Sequence, residues 1–289
     1  MSQHLPNLVI IGAMKCGTTS LHNYLKLHPQ IYMASAKELD FFIKKRPFYR
    51  KGLSWYESNF NSQEAEGKDI VGEASPNYTK CHAFPGVPEC MHEVIPNAKL
   101  IYILRDPVKR AVSHYLHQYI ARYEHREVNE AFQTFENNHY VQSSRYGFQL
   151  EQFLPYYDLE NIFVTTLEEL SSNRTATLQK IFKFLEVDAN FQHPDFLRVH
   201  HQSSIKRRRT NIGAQLYSMP QGSRLCKLFS QIAMEPVEKP VLTTQTEFRL
   251  REFFQSDIEK LNKLTQQDFS ALLGGSTAGI KLSEVKGAA

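Results

Sequence analysis

Apolar residues along the chain fall into two kinds of run. Short unbroken runs rich in β-branched residues read as buried strands: Leu8-Val9-Ile10-Ile11, Ile70-Val71-Gly72-Glu73, Lys99 to Leu104, and Ile162 to Thr166. Ile31-Tyr32-Met33 reads as a shorter one. Other stretches space apolar residues three and four apart, the pattern of helices buried along one face. Leu21, Tyr24 and Leu25 do so, then Ala111, Val112, Tyr115, Leu116 and Tyr119. Leu178, Ile181, Phe182 and Leu185 follow, and last Leu250, Phe253, Phe254, Ile258, Leu261 and Leu264.

Proline and glycine set the boundaries. Leu27-His28-Pro29 stops the first helix, and a helix over Val87–Ile95 stops before Pro96. Pro107 suits the first position of a helix running to about Tyr123, and Pro155 closes one over Tyr146–Leu154. Residues 44–68 read as loops with a short helix near Trp55–Phe60, and residues 124–142 as polar with a helix around Val128–Phe135. Residues 190–245 read as irregular. Strands alternating with helices predict one α/β domain, a central parallel sheet with helices on both faces. That domain covers residues 1–273, and the Gly-, Ala- and Ser-rich tail, 274–289, reads as disordered.

Composition narrows the class. Hydrophobic content of 42% and charged content of 22% belong to an ordinary globular protein. No run approaches the roughly 20 apolar residues of a membrane span, so no membrane insertion is expected. The first residues carry no signal-peptide pattern, and four cysteines are too few for a disulfide framework. Both point to a reduced, cytoplasmic protein. Cys81-His82 and Cys90-Met91-His92 lack the usual spacing of zinc ligands, so no metal is expected there. A net charge of +4 suits an anionic ligand without requiring nucleic acid.

The chemistry concentrates after the first strand. Gly12 and Gly17 have the spacing of the P-loop, G-x-x-x-x-G-K-[ST], and Thr18, Thr19 and Ser20 supply hydroxyls. A strand, glycine loop and helix N-terminus make an anion site, because free N–H groups and the positive end of the helix dipole face the ligand. The lysine is displaced, however: Lys15 sits inside the loop, and Thr18 holds the usual lysine position. Cys16 lies in the same loop, which is expected to activate its thiol somewhat. Farther on, Arg105 ends a strand, and Arg110 and Ser113 lie three apart on the next helix, sharing a face. Arg105 and Ser113 could converge on one anion, as a guanidinium fork and a hydroxyl donor. An ordinary salt-bridged helix start is the plain alternative.

Read together, the loop and the stretch Leu104–Tyr115 resemble the sulfotransferase family, whose members use 3′-phosphoadenosine 5′-phosphosulfate (PAPS). Arg105, Pro107, Arg110, Ala111, Ser113 and Tyr115 match that family's R-x-P-x-x-R-A-x-S-x-Y signature at every fixed position. Gly72–Tyr78 and Lys37–Phe42 are similar to the Glu-x-[Ser/Thr]-Pro-x-Tyr and Lys-Glu-x-x-Phe-Phe segments of its heparan-sulfate-type branch. Lys206–Arg209 only approximates that branch's late basic glycine loop.

The resemblance implies a P-loop-containing nucleotide-hydrolase-like architecture and metal-independent sulfuryl transfer to an acceptor hydroxyl, leaving adenosine 3′,5′-bisphosphate. It implies that N–H groups of Cys16, Gly17, Thr18, Thr19 and Ser20, with the hydroxyls of Thr18 and Thr19, grip the 5′-phosphate. Lys15 would face the bridging oxygen on which charge develops. Arg105 and Ser113 would hold the 3′-phosphate, with Lys206 and Arg207 on a loop closing over it. Glu73 would be the general base, with His82, His114 and His117 as weaker rivals. Lys37 would add a second cation. The acceptor would be a glycan or small molecule, bound by residues 40–68, 124–145 and 210–240. A magnesium-dependent P-loop kinase or hydrolase is one rival, but Arg105 precedes Asp106 where a Walker-B acid would follow the strand. A non-enzymatic binder of acidic glycans through Lys206–Arg209 is the other. No aromatic platform interleaves that run, which counts against nucleic acid.

Overall fold

A computed structural model describes residues 5–60, 63–197, 207–209 and 234–274. The tail beyond residue 274 and Lys206 lie outside the described residues. Five parallel strands form the central sheet: β1 (Leu8–Gly12), β2 (Ile31–Met33), β3 (Ile70–Ala74), β4 (Lys99–Leu104) and β5 (Ile162–Thr166). Their order is β2-β3-β1-β4-β5. Leu8 to Ile11 of β1 have no exposed surface, and neither do Leu100 to Leu104 of β4. This is why both read as unbroken apolar runs: a parallel sheet covered on both faces buries every side chain.

The helices match the spacing of their apolar residues. They are α1 (Thr18–Leu25), α2 (Leu53–Ser58), α3 (Val87–Val94), α4 (Pro107–Ile120), α5 (Val128–Ala131), α6 (His139–Gln142), α7 (Tyr146–Glu151), α8 (Leu167–Ser172), α9 (Arg174–Phe184) and α10 (Thr244–Thr265). Asp106 caps α4, its carboxylate accepting the Lys109 N–H at 2.9 Å. Pro107 follows at the helix's first position, as expected.

Two differences from the sequence reading stand out. Helix α8 was not expected. Thr166 caps it through the Glu169 N–H at 3.0 Å. The basic run is also not wholly loop: Arg207–Arg209 forms β6, antiparallel to β7 (Met234–Pro236). Arg208 lays its guanidinium over the Tyr119 ring, 4.3 Å from its centroid, which ties β6 to α4.

Candidate active site

The sheet order sets β1 between β3 and β4, so the β1 loop opens where connections leave toward opposite edges. Ligands of open α/β sheets bind at this point, beyond the carboxyl ends of the strands. The loop is pinned at its start by the Ala13 N–H, which donates to the Ile103 carbonyl of β4 at 2.8 Å. Lys15 and Gly17 then take left-handed backbone angles, φ 73° and 90°. Gly17 tolerates this, and a Cβ there would also lie 2.7 Å from the Leu167 side chain. Helix α1 begins with no capping side chain and no acidic residue in its first turn. A helix start with neither feature suits an anion, which the dipole's positive end favours.

Lys15, Gly17, Thr19 and Ser20 are half-buried and Thr18 is buried. Lys37 reaches the same loop, its Nζ donating to Thr19 Oγ1 at 2.6 Å. Burial holds its ammonium below the usual lysine range. Cys16 departs from expectation. Its N–H donates to the Ala13 carbonyl at 3.1 Å, and its thiol is buried, 3.6 Å from the Tyr146 hydroxyl. Burial pushes that thiol up to about 11 instead of activating it. In this geometry Cys16 offers an anion nothing.

Arg105 and Ser113 do come together. Both line a groove of about 730 Å³ between α4 and the segment from Pro236 to Leu242. The volume suits a nucleotide-sized ligand. Arg105 also donates to the Lys15 carbonyl at 3.4 Å, so groove and loop adjoin. Arg110 does not share this role, although it lies only three residues from Ser113. Its side chain is buried and turned toward the loop. Nε donates to the Met14 carbonyl at 3.0 Å, and one terminal nitrogen donates to the Tyr140 carbonyl at 3.1 Å and Ser144 Oγ at 3.2 Å. Arg110 thus braces the loop from behind. Arg207 is exposed on β6 and is not among the groove's lining residues.

Glu73 lies on β3 beside β1, in register with Val9. The turn after it runs along the end of β1, with Ser75 N–H donating to the Ile10 carbonyl at 3.1 Å and Thr79 N–H to that of Ile11 at 3.2 Å. The Glu73 carboxyl is completely buried. Tyr56 and Tyr78 donate to Oε1 at 2.9 and 3.0 Å, and Ser75 Oγ donates to Oε2 at 2.5 Å. Burial raises its pKa to about 7, with the three hydroxyls opposing. Tyr78 lay in a segment already singled out, but nothing in the sequence marked Tyr56. Lys80 was also missed. It is buried with Nζ 3.0 Å from Met14 Sδ, and burial beside Arg110 lowers it to about 7.

Two of the rival histidines, His82 and His114, are poorer proton acceptors. Burial drives His82 down to about 3, and His114, fully enclosed, is lowered further. Among the described residues no group of side chains is arranged to hold a metal ion. Among them, too, no helix is long and apolar enough to cross a membrane.

Residues 5–265 match the family model described as the sulfotransferase domain. A sulfotransferase from Alicyclobacillus acidocaldarius superposes with a TM-score of 0.69 at 25% identity, covering 93% of this chain and 99% of that one. The membrane-associated sulfotransferase kil1 of Dictyostelium discoideum is 41% identical over 112 residues, 38% of this chain and 22% of kil1. Heparan sulfate glucosamine 3-O-sulfotransferase 5 of Homo sapiens is 32% identical over 198 residues, 64% of this chain and 54% of that protein. The chain spans only 22% and 54% of the lengths of these two curated relatives. With an uncapped anion loop on a β2-β3-β1-β4-β5 sheet and a family match running through both, this chain belongs to the sulfotransferase family.

Proposed function

We propose that the chain takes its sulfuryl group from PAPS and passes it, without a metal, to a hydroxyl of a glycan or small molecule. One observation carries this reading. The anion loop and the Arg105–Ser113 groove adjoin through the Arg105–Lys15 contact, giving two cationic stations for one nucleotide. A ligand with phosphate at both its 5′ and 3′ ends fits such a pair. Gly17, Thr18, Thr19 and Ser20 would hold the 5′ end, and Arg105 and Ser113 the 3′ end. When bound, PAPS supplies the activated sulfuryl group.

The chain's own residues then divide the work. Lys15 neutralises charge as it builds on the leaving oxygen, an interaction stronger in the transition state than before it. Lys37, already on Thr19, adds to the positive field. Glu73, poised near neutrality by burial, takes the proton of the acceptor hydroxyl. Asp106 caps α4 and faces Arg251 at 3.5 Å, which favours this reading over a magnesium-dependent kinase. Relatives named for heparan sulfate support a carbohydrate acceptor. The free thiols of Cys16, Cys81 and Cys90 support a reducing compartment such as the cytoplasm.

The test measures nucleotide binding and turnover separately, using labelled PAPS against a panel of acceptors in the presence of EDTA. Lys15→Ala should lower kcat by about 100-fold or more while leaving adenosine 3′,5′-bisphosphate affinity within a few-fold. Arg105→Ala should weaken that affinity by about tenfold or more. Turnover that survives Lys15→Ala would refute the assigned mechanism, and turnover abolished by EDTA would refute metal independence.

A further inference from the structure

We propose that Tyr56 and Tyr78 are positioning residues for Glu73: their phenols occupy Oε1 and leave Oε2 as the atom that accepts the proton. This rests on Glu73 as the base. A carboxylate has about four lone-pair positions. Two, on Oε1, are filled by the phenols at 2.9 and 3.0 Å. A third, on Oε2, is filled by Ser75 Oγ, itself held by the Asp40 N–H at 3.0 Å. Among the described residues Oε2 has no second donor, so it alone retains an open position.

The rings are held as firmly as the hydroxyls. Phe41 stacks on Tyr56 at 4.5 Å and an 11° tilt, and Phe42 meets Tyr56 edge-on at 5.1 Å and Tyr78 at 5.6 Å. The adjacent phenylalanines of the Lys37–Phe42 segment therefore clamp both phenols. The two tyrosines come from different elements, α2 and the turn after β3, yet meet on one oxygen. Ordinary packing would not require that convergence.

The donors also keep Glu73 usable as a base. Complete burial favours its neutral form, and the buried Asp40 carboxylate pushes the same way. The phenols and Ser75 stabilise the anion against both. Burial raises the pKa of each phenol well above the ordinary tyrosine value, so both remain donors across the useful pH range. Removing one phenol should leave Glu73 protonated at higher pH.

The experiment follows Glu73 directly. Its carboxylic-acid infrared band is identified by its loss in Glu73→Gln and titrated in the wild type, Tyr56→Phe and Tyr78→Phe. Each Phe variant keeps the ring, and thermal melts check its fold. The band should persist to higher pH in both. In parallel, kcat/KM for PAPS hydrolysis, with water as acceptor, should fall about tenfold at pH 6 and largely recover by pH 9, with KM for PAPS unchanged. An unmoved infrared midpoint in both variants overturns the proposal whatever the activity does. A moved midpoint with an unmoved acid limb instead overturns Glu73 as the base, and the proposal falls with it.

Discussion

At the scale of single residues, Arg110 shows how a buried charge serves a site it never enters. Its guanidinium satisfies the Met14 and Tyr140 carbonyls and Ser144 together. Arg110→Ala should cost about 3–5 kcal/mol in urea unfolding, because it strands these partners in the interior. A loss below about 1 kcal/mol would show that the brace is dispensable. The sequence made Arg105 and Ser113 legible, since a strand end and a helix face bring them together without help from distant parts. It gave Arg110 no role of its own, because spacing along a helix states which residues are neighbours but not which neighbour faces the sheet. Cys16 failed for a related reason: a loop near an anion activates a thiol only if the thiol points at it, and this one points inward. Tyr56 was invisible because its meaning arises from a carboxylate seventeen residues away.

At the scale of elements, the long periodic ones were legible, as were short β2, α2, α5 and α7, whereas α8 and the β6–β7 pair were not. Strands β1 and β4, and helices α4, α9 and α10, announce themselves by composition or period. Helix α8 has only six residues, although Thr166-Leu167-Glu168-Glu169 carries a capping signal that could have revealed it. Pairing of β6 with β7 joins segments of three residues far apart in the chain, beyond any local pattern. The contact of α7 with α10 gives a sharp test. The Asp257 carboxylate of α10 accepts the Gly147 and Phe148 N–H groups, each at 2.9 Å. A Cβ on Gly147 would lie 2.5 Å from the Asp257 carbonyl oxygen and 3.0 Å from the Leu261 nitrogen. Both are backbone atoms and cannot swing aside. Gly147→Ala should therefore destabilise the fold by about 1–3 kcal/mol, seen as a lowered Tm. An unchanged Tm would mean that the two helices separate at little cost.

At the scale of the whole molecule, the five-stranded sheet sets the loop after β1 beside Arg105 at the end of β4, and the sheet itself followed from alternating strands and helices. Helix α4 ties that loop to the groove. It starts beside Arg105, braces the loop with Arg110 and presents Ser113 to the groove. Adenosine 3′,5′-bisphosphate at about 100 times its Kd should stabilise the protein by about 2.7 kcal/mol. At equal concentration, adenosine 5′-monophosphate and ATP should raise Tm less, since neither carries a 3′-phosphate. An ATP shift as large as that of the bisphosphate would refute this preference. The tie from Arg110 to the Met14 carbonyl has a wider consequence. Because one helix carries Ser113 and grips the loop after β1, the span between the two proposed stations is a fixed length that no ligand sets. On the proposed function the protein acts as a ruler, accepting a nucleotide by whether its two charged ends match that span.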